Sequence, residues 1–538
     1  MEFNRATFIK QIDLQKNWDV IIIGGGATGL GTALDAASRG YRTLLLEQHD
    51  FAKGTSSRST KLVHGGVRYL AQGDVSLVYE ALHERGLLLK NAPHLVHDQQ
   101  FIIPCYNWLS KFKYQFGLKF YDLLAGNSGF KKSSFLTIQQ VLKAIPGLSA
   151  DNLIGGISYS DGQFDDSRLA INLAQTAAQY SGVLINYMQV NALSKNSQGA
   201  VTGVTAKDLE TGLTYQLYAK TIVNATGVFV DAILKMDKPG GKTLVRPSQG
   251  AHIVLDKLFL RGNVALMIPK TADGRVLFAV PWHGKVLVGT TDTPLDTSTL
   301  EPRPLAEEID FILNTAGKYL VKKPVHADIL SAFAGLRPLA APGKHTHSTK
   351  EISRSHKLIV SDSGLITITG GKWTTYRKMA EDTIDKAIAL GQQFSAKCIT
   401  AQVKIHGAEG AGDTGHFANY GADASQIRKL MKNEPELAGA LHPDFQMVKA
   451  EVAWMIRNEM ARTIEDVLAR RSRVLFLNAA AAAKLAPPVA ALMVQELHKS
   501  ESWATAQLAE FNLLVQQYLL KDFAQDGAAY FTKITSTQ

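Results

Sequence analysis

Residues 55–69, TSSRSTKLVHGGVRY, crowd hydroxyls and cations against two glycines. Thr55, Ser56, Ser57 and Ser59 bring hydroxyls, Lys61 and Arg68 bring positive charge, and His64-Gly65-Gly66 separates them. A loop that only joins two elements does not need so many phosphate-seeking groups; two anions held side by side would use them. Two further cations, Arg337 in GLRPL and Lys372 in GGKWTT, stand like Arg68 among small or apolar residues. A phosphate ester is held by convergent cations, and a guanidinium adds a planar fork that meets two oxygens at once. Thr374 and Thr375 either donate to the same phosphate or cap the following helix.

The elements that would position these residues begin upstream. DVIIIGGGATGLGTALDAASRGYRTLLLEQ reads as strand, turn, helix and strand, with an apolar run at 20–23 typical of a buried parallel strand. Gly24 permits a tight turn, Gly26 lets the backbone approach a pyrophosphate, and Gly29 lets helix and strand pack closely; Thr28 lies in the same loop. The next strand ends in Glu47, 18 residues after Gly29, where a carboxylate accepts from ribose hydroxyls and repels a 2′-phosphate. This unit alone predicts a dinucleotide without deciding which. Two distant strands also end on glycine, at Ala225-Thr226-Gly227 and at Gly370-Gly371. Late returns of that kind suit an extended FAD, and NAD dehydrogenases rarely need them.

The expected fold is α/β: a two-domain FAD-dependent oxidoreductase, with a Rossmann-like FAD domain and a β-rich substrate domain, followed by a C-terminal α-helical domain. The oxidoreductase region covers 1–385, with FAD-binding segments about 18–105, 150–240 and 330–385 and substrate-domain strands about 243–330. Residues 386–415 form a linker, glycine-rich at 407–415, and 416–525 the helical domain. Within these, the pattern predicts a helix over 74–97, a helix opened by Asp165-Asp166, a hairpin turning at His283-Gly284, and a capping box at Thr463 to Asp466.

The totals narrow the class. A chain of 538 residues exceeds one core, and 46% hydrophobic with 20% charged residues is ordinary for a soluble globular protein. The net charge of +10 comes without a basic tract or nucleic-acid motif, which favours an anionic small molecule or membrane surface as partner and no nucleic acid. Cys105 and Cys398 have no metal-ligand spacing and fit a reducing compartment. The first 17 residues resemble neither a signal nor a transit peptide. Metal sites, a Ser-His-Asp set and a P-loop are absent as patterns.

Taken jointly, GGGATGLGTALDAASRG, TSSRSTKLVHGGVRYL, YSDGQFDDSRL, VNATGVFVD, GLRPL and TGGKWTTYRKMAE resemble the FAD-dependent glycerol-3-phosphate dehydrogenases, and EMARTIEDVLARRSRVLFLNAAAA resembles that family's C-terminal domain. The resemblance implies oxidation of sn-glycerol 3-phosphate to dihydroxyacetone phosphate, with electrons passed through FAD to a membrane quinone. It implies that Thr55, Ser56, Ser57 and Ser59 lie along the pyrophosphate and ribityl chain. Lys61, Leu62 and the His64-Gly65-Gly66 backbone would lie near the isoalloxazine, and Arg68 and Tyr69 would face the substrate phosphate. Losing a hydroxyl proton calls for a base: His252 in QGAHIV is the first candidate and His64 the second, with Arg337 orienting the substrate. The nearest alternatives are a glycerol-3-phosphate oxidase using oxygen and a flavin-binding regulatory subunit without turnover.

A quinone lies in the bilayer, and no segment reads as a membrane span. NWLSKFKYQFGLKFYDLL (107–124) sets Trp108, Phe112, Phe116 and Phe120 four apart and flanks them with Lys111, Lys113 and Lys119. That is the pattern of an interfacial helix on anionic lipid, although such a stripe also suits a core. The expected location is cytoplasmic and bacterial, on the inner face of the cell membrane, and the expected assembly a homo-oligomer.

Overall fold

The computed structural model describes residues 3–66, 74–126, 130–269, 271, 274–340, 356–409, 415–443 and 445–520. Its first layer is a largely parallel sheet. The middle strand, Asn17–Ile23, is buried from Trp18 onward and pairs in parallel with Thr43–Leu46 on one side and Thr214–Asn224 on the other. Val183–Ile185 extends the first flank; Ile366–Gly370 and then His356–Val360 extend the second. Helix Ala27–Ser38 packs against helices Asp166–Gln179 and Tyr376–Ala389. Ile23 lies opposite both Leu46 and Asn224, so the parallel strands finish along one edge, where open α/β sheets bind ligands.

The second layer is a ten-stranded mixed sheet. Val245–Asp256 pairs antiparallel with Ser331–Ala340 and with Lys285–Gly289, setting Ser248 opposite Arg337 and His252 between Phe333 and Gly289. The hairpin Leu277–Trp282 to Lys285–Gly289 turns at His283 and Gly284, both at positive φ (44° and 71°), as a tight two-residue turn requires. Val96–Cys105 and Gly155–Phe164 belong to this sheet as well. The sequence reading assigns 96–105, 155–164 and 331–340 to FAD segments; the structure pairs them in the second sheet. An apolar run identifies a strand, but its partner is chosen by contacts far away in sequence.

The third layer is helical. Ala424–Asn433, Lys449–Glu459, Ala479–Leu497 and Glu501–Tyr518 enclose a core that includes Ile456, Leu468, Phe476, Leu485 and Phe511. Thr463 and Asp466 form the reciprocal capping box, each accepting from the other's backbone N–H, and the turn they open is π-helical over Asp466–Arg471. The expected linker at 386–415 is no free tether. Residues up to Ala389 complete a helix, Ile405 donates to the Asn91 carbonyl, and His406 to Thr176 Oγ1. The expected helix at 74–97 ends at Asn91, and strand Val96–Cys105 begins five residues later.

Candidate active site

The edge of the parallel sheet opens into a groove of about 500 Å³, lined by Gly24, Gly26, Thr28, Glu47, Thr55, Ser56, Ala225, Thr226, Gly227, Gly370, Gly371 and Lys372. Gly24 has φ +107°, and a Cβ there would come within 2.8 Å of the Ala225 carbonyl oxygen. Gly29 stays off the groove; a Cβ on it would approach Gly24 O to 1.9 Å, so its role is to let helix and strand meet. Glu47 Oε2 accepts from Gly25 N at 2.6 Å and Oε1 from His49 N at 2.7 Å, which fixes its carboxylate on the groove wall. Burial pushes that carboxyl's pKa upward. Ser56 Oγ accepts from Ala27 N at 2.9 Å, and Trp373 Nε1 donates to Ser56 O at 2.9 Å, tying the late strand's turn onto the early loop. A bare-backbone cradle at a helix N-terminus, with an oriented acid at the far end, fits the pyrophosphate and ribose of FAD.

A second cavity, about 310 Å³, shares Thr55, Pro338, Gly370, Gly371, Lys372 and Trp373 with the groove, so the two meet. One wall is polar, with Ser59, Thr60, His252, Thr290, Asp292, Arg337, Lys372 and Thr374; the other carries Phe101, Tyr159, Met267, Val276 and Phe278. The His252 ring is buried, stacks on Phe333 at 5.1 Å and 16°, and sets Nε2 2.9 Å from Thr60 Oγ1. Across the strand pair, Gly289 leaves room for it: a Cβ there would reach His252 Cδ2 at 2.3 Å. Burial, and then the charges of Lys61 and Arg337, hold the imidazole pKa well below its usual value. It is therefore neutral near pH 7 and able to take a proton.

Arg337 is clamped on the next strand. Nη1 donates to Asp292 Oδ1 (3.1 Å) and Gln249 O (3.2 Å), and Nη2 to Thr290 Oγ1 and Thr291 O (both 3.0 Å). Ser248 Oγ donates to the same Asp292 oxygen. Gly250 makes room for the guanidinium, since a Cβ there would stand 2.3 Å from Nη2.

Residues 19–377 match the FAD-dependent oxidoreductase model, and 398–504 match the C-terminal domain of alpha-glycerophosphate oxidase. The rat protein named glycerol-3-phosphate dehydrogenase, mitochondrial, is 41% identical over 533 residues, covering 93% of this chain and 73% of its own. The Arabidopsis thaliana mitochondrial glycerol-3-phosphate dehydrogenase is 38% identical, covering 92% and 87%. The chain belongs to the FAD-dependent glycerol-3-phosphate dehydrogenases. A solved glycerol-3-phosphate dehydrogenase from Bacillus halodurans, complexed with FAD, superposes with a TM-score of 0.74 at 32% identity, covering 96% of this chain and 97% of its own. The L-alpha-glycerophosphate oxidase of Mycoplasma pneumoniae, 18% identical with a TM-score of 0.56, shares the fold.

Within this glycerol-3-phosphate dehydrogenase site, several residues face elsewhere than the sequence suggests. Lys61 has φ +62°, which turns its side chain away from both cavities into a buried pair with Asp166. Ser57 is buried beside it, and its carbonyl rather than its hydroxyl does the work, accepting from Lys61 Nζ at 2.7 Å. Thr375 lies off the cavity, donating to Lys372 O at 3.3 Å. Gly65 also lies off it, its N–H held by the Tyr121 hydroxyl at 2.9 Å. Leu62, His64 and Gly66 do line the cavity, and Thr374 Oγ1 accepts from His64 N at 3.2 Å. Arg68 and Tyr69 lie outside the described residues. Thr60, Arg275 and Asp292 line the cavity and are not among the predicted site residues; Arg275 stands two residues before strand Leu277–Trp282, and nothing in its local sequence marks it. Among the described residues no cluster of His, Cys, Asp or Glu could hold a metal ion.

Proposed function

We propose that the chain oxidises the secondary alcohol of sn-glycerol 3-phosphate to dihydroxyacetone phosphate and passes the electrons on to a membrane quinone. The observation that carries this reading is the junction of groove and cavity, where a neutral buried His252 faces the same space as Arg337 and Lys372. When bound, FAD supplies the hydride acceptor. His252 takes the proton at Nε2 by way of the Thr60 hydroxyl 2.9 Å away, which passes its own proton to Nε2 as it accepts the substrate's and keeps the ring from rotating. Arg337, held by Asp292 and Thr290, places fixed positive charge where the alkoxide develops. Lys372, Thr374 and Arg275 give the phosphate its counter-charges and donors. Glu47 and the Gly24–Gly29 loop hold the adenosine and pyrophosphate.

Helix Trp108–Ala125 supports the membrane part of the proposal. Its aromatic stripe points outward: Trp108, Phe112 and Phe116 are 62%, 65% and 80% exposed, and Leu109 and Leu123 beside them are exposed as well. Lys113 and Lys119 on this helix and Lys131 and Lys132 shortly after it are exposed too, so apolar and cationic groups lie close together, as binding to anionic lipid requires. Among the described residues no helix is long and apolar enough to cross a membrane. A peripheral seat on the inner face of the cell membrane follows from this reading.

Anaerobic titration of the purified protein with glycerol 3-phosphate tests the chemistry. The flavin absorbance should bleach stoichiometrically and return on adding a soluble quinone. Bleaching reversed only by oxygen, with peroxide formed, would assign an oxidase instead.

A further inference from the structure

Behind the polar wall lies a buried ion cluster that the reaction as described does not use. Lys61 has no exposed surface, and its Nζ donates to Ser57 O and Asp166 Oδ2, both at 2.7 Å. The same Asp166 oxygen accepts from Ser59 N (3.1 Å) and Ser59 Oγ (2.7 Å). From the C-terminal domain, Arg473 donates to Ser57 O at 2.8 Å and to Asp166 Oδ1 at 3.0 Å. Residues 57–60 are thus gripped from below by two cations sharing one carbonyl and one carboxylate. Thr60, the last of them, carries the hydroxyl that meets His252 Nε2. Phe333 stacks on His252, and Lys61 Nζ stands 5.5 Å from the centre of that same ring.

A left-handed backbone is strained for a non-glycine residue, and a buried cation is costly unless it is fully paired. Lys61 carries both burdens within a segment that lines the active cavity. We propose that Lys61 is a positioning residue for the oxidation: with Arg473 it clamps residues 57–60 so that Thr60 holds the His252 ring against the substrate. The inference rests on His252 being the base. The charged and titratable groups around Lys61 are Asp165, Asp166, Arg473 and His252, with His283 beyond Asp165; those around His252 are Lys61 and Arg337. Burial brings the Lys61 ammonium down to about 7, so it is charged in the acid range where His252 titrates and there opposes His252 protonation.

The test compares flavin-loaded holoenzymes. Lys61→Met should lower kcat at least about tenfold while KM for glycerol 3-phosphate changes by less than about threefold, since the base and not the phosphate site is disturbed. The acid limb of its kcat/KM profile should move to higher pH, because one of the two cations holding His252 neutral is gone. Lys61→Gln, which still donates to Ser57 O and Asp166, should recover most of kcat yet keep the displaced limb. Parent kcat and parent limb in Lys61→Met overturn the inference, as does a loss that only tracks flavin content. Should Lys61→Met not load flavin, an unmoved limb in Lys61→Gln overturns it. His252→Asn separates this from the underlying reading: a retained acid limb there means that His252 is not the base, whereas a lost limb there with an unmoved one in the Lys61 variants sinks the Lys61 inference alone.

Discussion

Arg337 gives four hydrogen bonds to its own protein, so its fork is fixed before any substrate arrives. Replacing it with alanine removes the charge and leaves the Asp292 carboxylate facing the cavity with the Ser248 hydroxyl but without its guanidinium. A charge-assisted bond in such a place is worth roughly 1.5–3 kcal/mol, so Arg337→Ala should lower kcat/KM by about 10- to 150-fold, with lysine a poor substitute because it lacks the fork. Steady-state kinetics of the two variants checks this. The pH dependence has a definite sign. Because His252 is held well below 6.5, kcat/KM should stay flat as pH falls through 6.5 and decline only at lower pH. At this scale the glycine fingerprint and Glu47 were legible, since their spacing follows from ligand geometry. The direction of Lys61 was not: a single left-handed backbone residue reverses where a side chain points, and lysine is not the residue that announces one.

At the scale of elements, helix Trp108–Ala125 has one face packed inward and one exposed. The inner one carries Tyr121, whose hydroxyl holds Gly65 N and also reaches Asp161 at 2.9 and 3.1 Å, while Arg85 pairs with Asp161 at 2.5 Å. Tyr121→Phe should strand the Gly65 N–H and lower stability by about 1–3 kcal/mol in a denaturant titration. The outer face should behave in the opposite way. Replacing Trp108 and Phe112 by Ser and Lys111, Lys113 and Lys119 by Gln should leave reduction of a soluble dye unchanged but abolish cosedimentation with anionic vesicles. Retained vesicle binding would remove this helix as the anchor. The four-residue spacing was readable from the chain, but its direction was not, because lipid and protein core select the same apolar stripe. Strand partners escaped for a related reason: the second half of Val96–Cys105 is an apolar run like those of the parallel sheet, yet the strand pairs with Gly155–Phe164.

Across the whole molecule, the helical domain is joined to the FAD layer by buried charge. Arg168 meets Glu459 with two bonds, of 2.6 and 2.8 Å; Arg470 and Arg471 both meet Asp50; Lys53 meets Glu465. Removing one partner of a buried pair costs about 3–5 kcal/mol, so Glu459→Gln should lower the unfolding midpoint sharply, and a chain cut at 409 should lose flavin on gel filtration. The helical character of this domain was plain in the sequence; its grip on residues 50–61 was not, because those contacts join residues about 400 positions apart. The parallel sheet also has a consequence for synthesis. Asn17–Ile23 is flanked by Thr214–Asn224, which in turn waits for Ile366–Gly370 and the Trp373 tie to Ser56. At about 5–20 residues per second, a ribosome needs roughly 20–70 s to supply that last wall, and longer to deliver Arg473. Until then the nascent glycine loop has no closed groove to offer, and the unfinished sheet leaves an apolar edge bare, a stretch of time for chaperones to cover before cofactor can be captured.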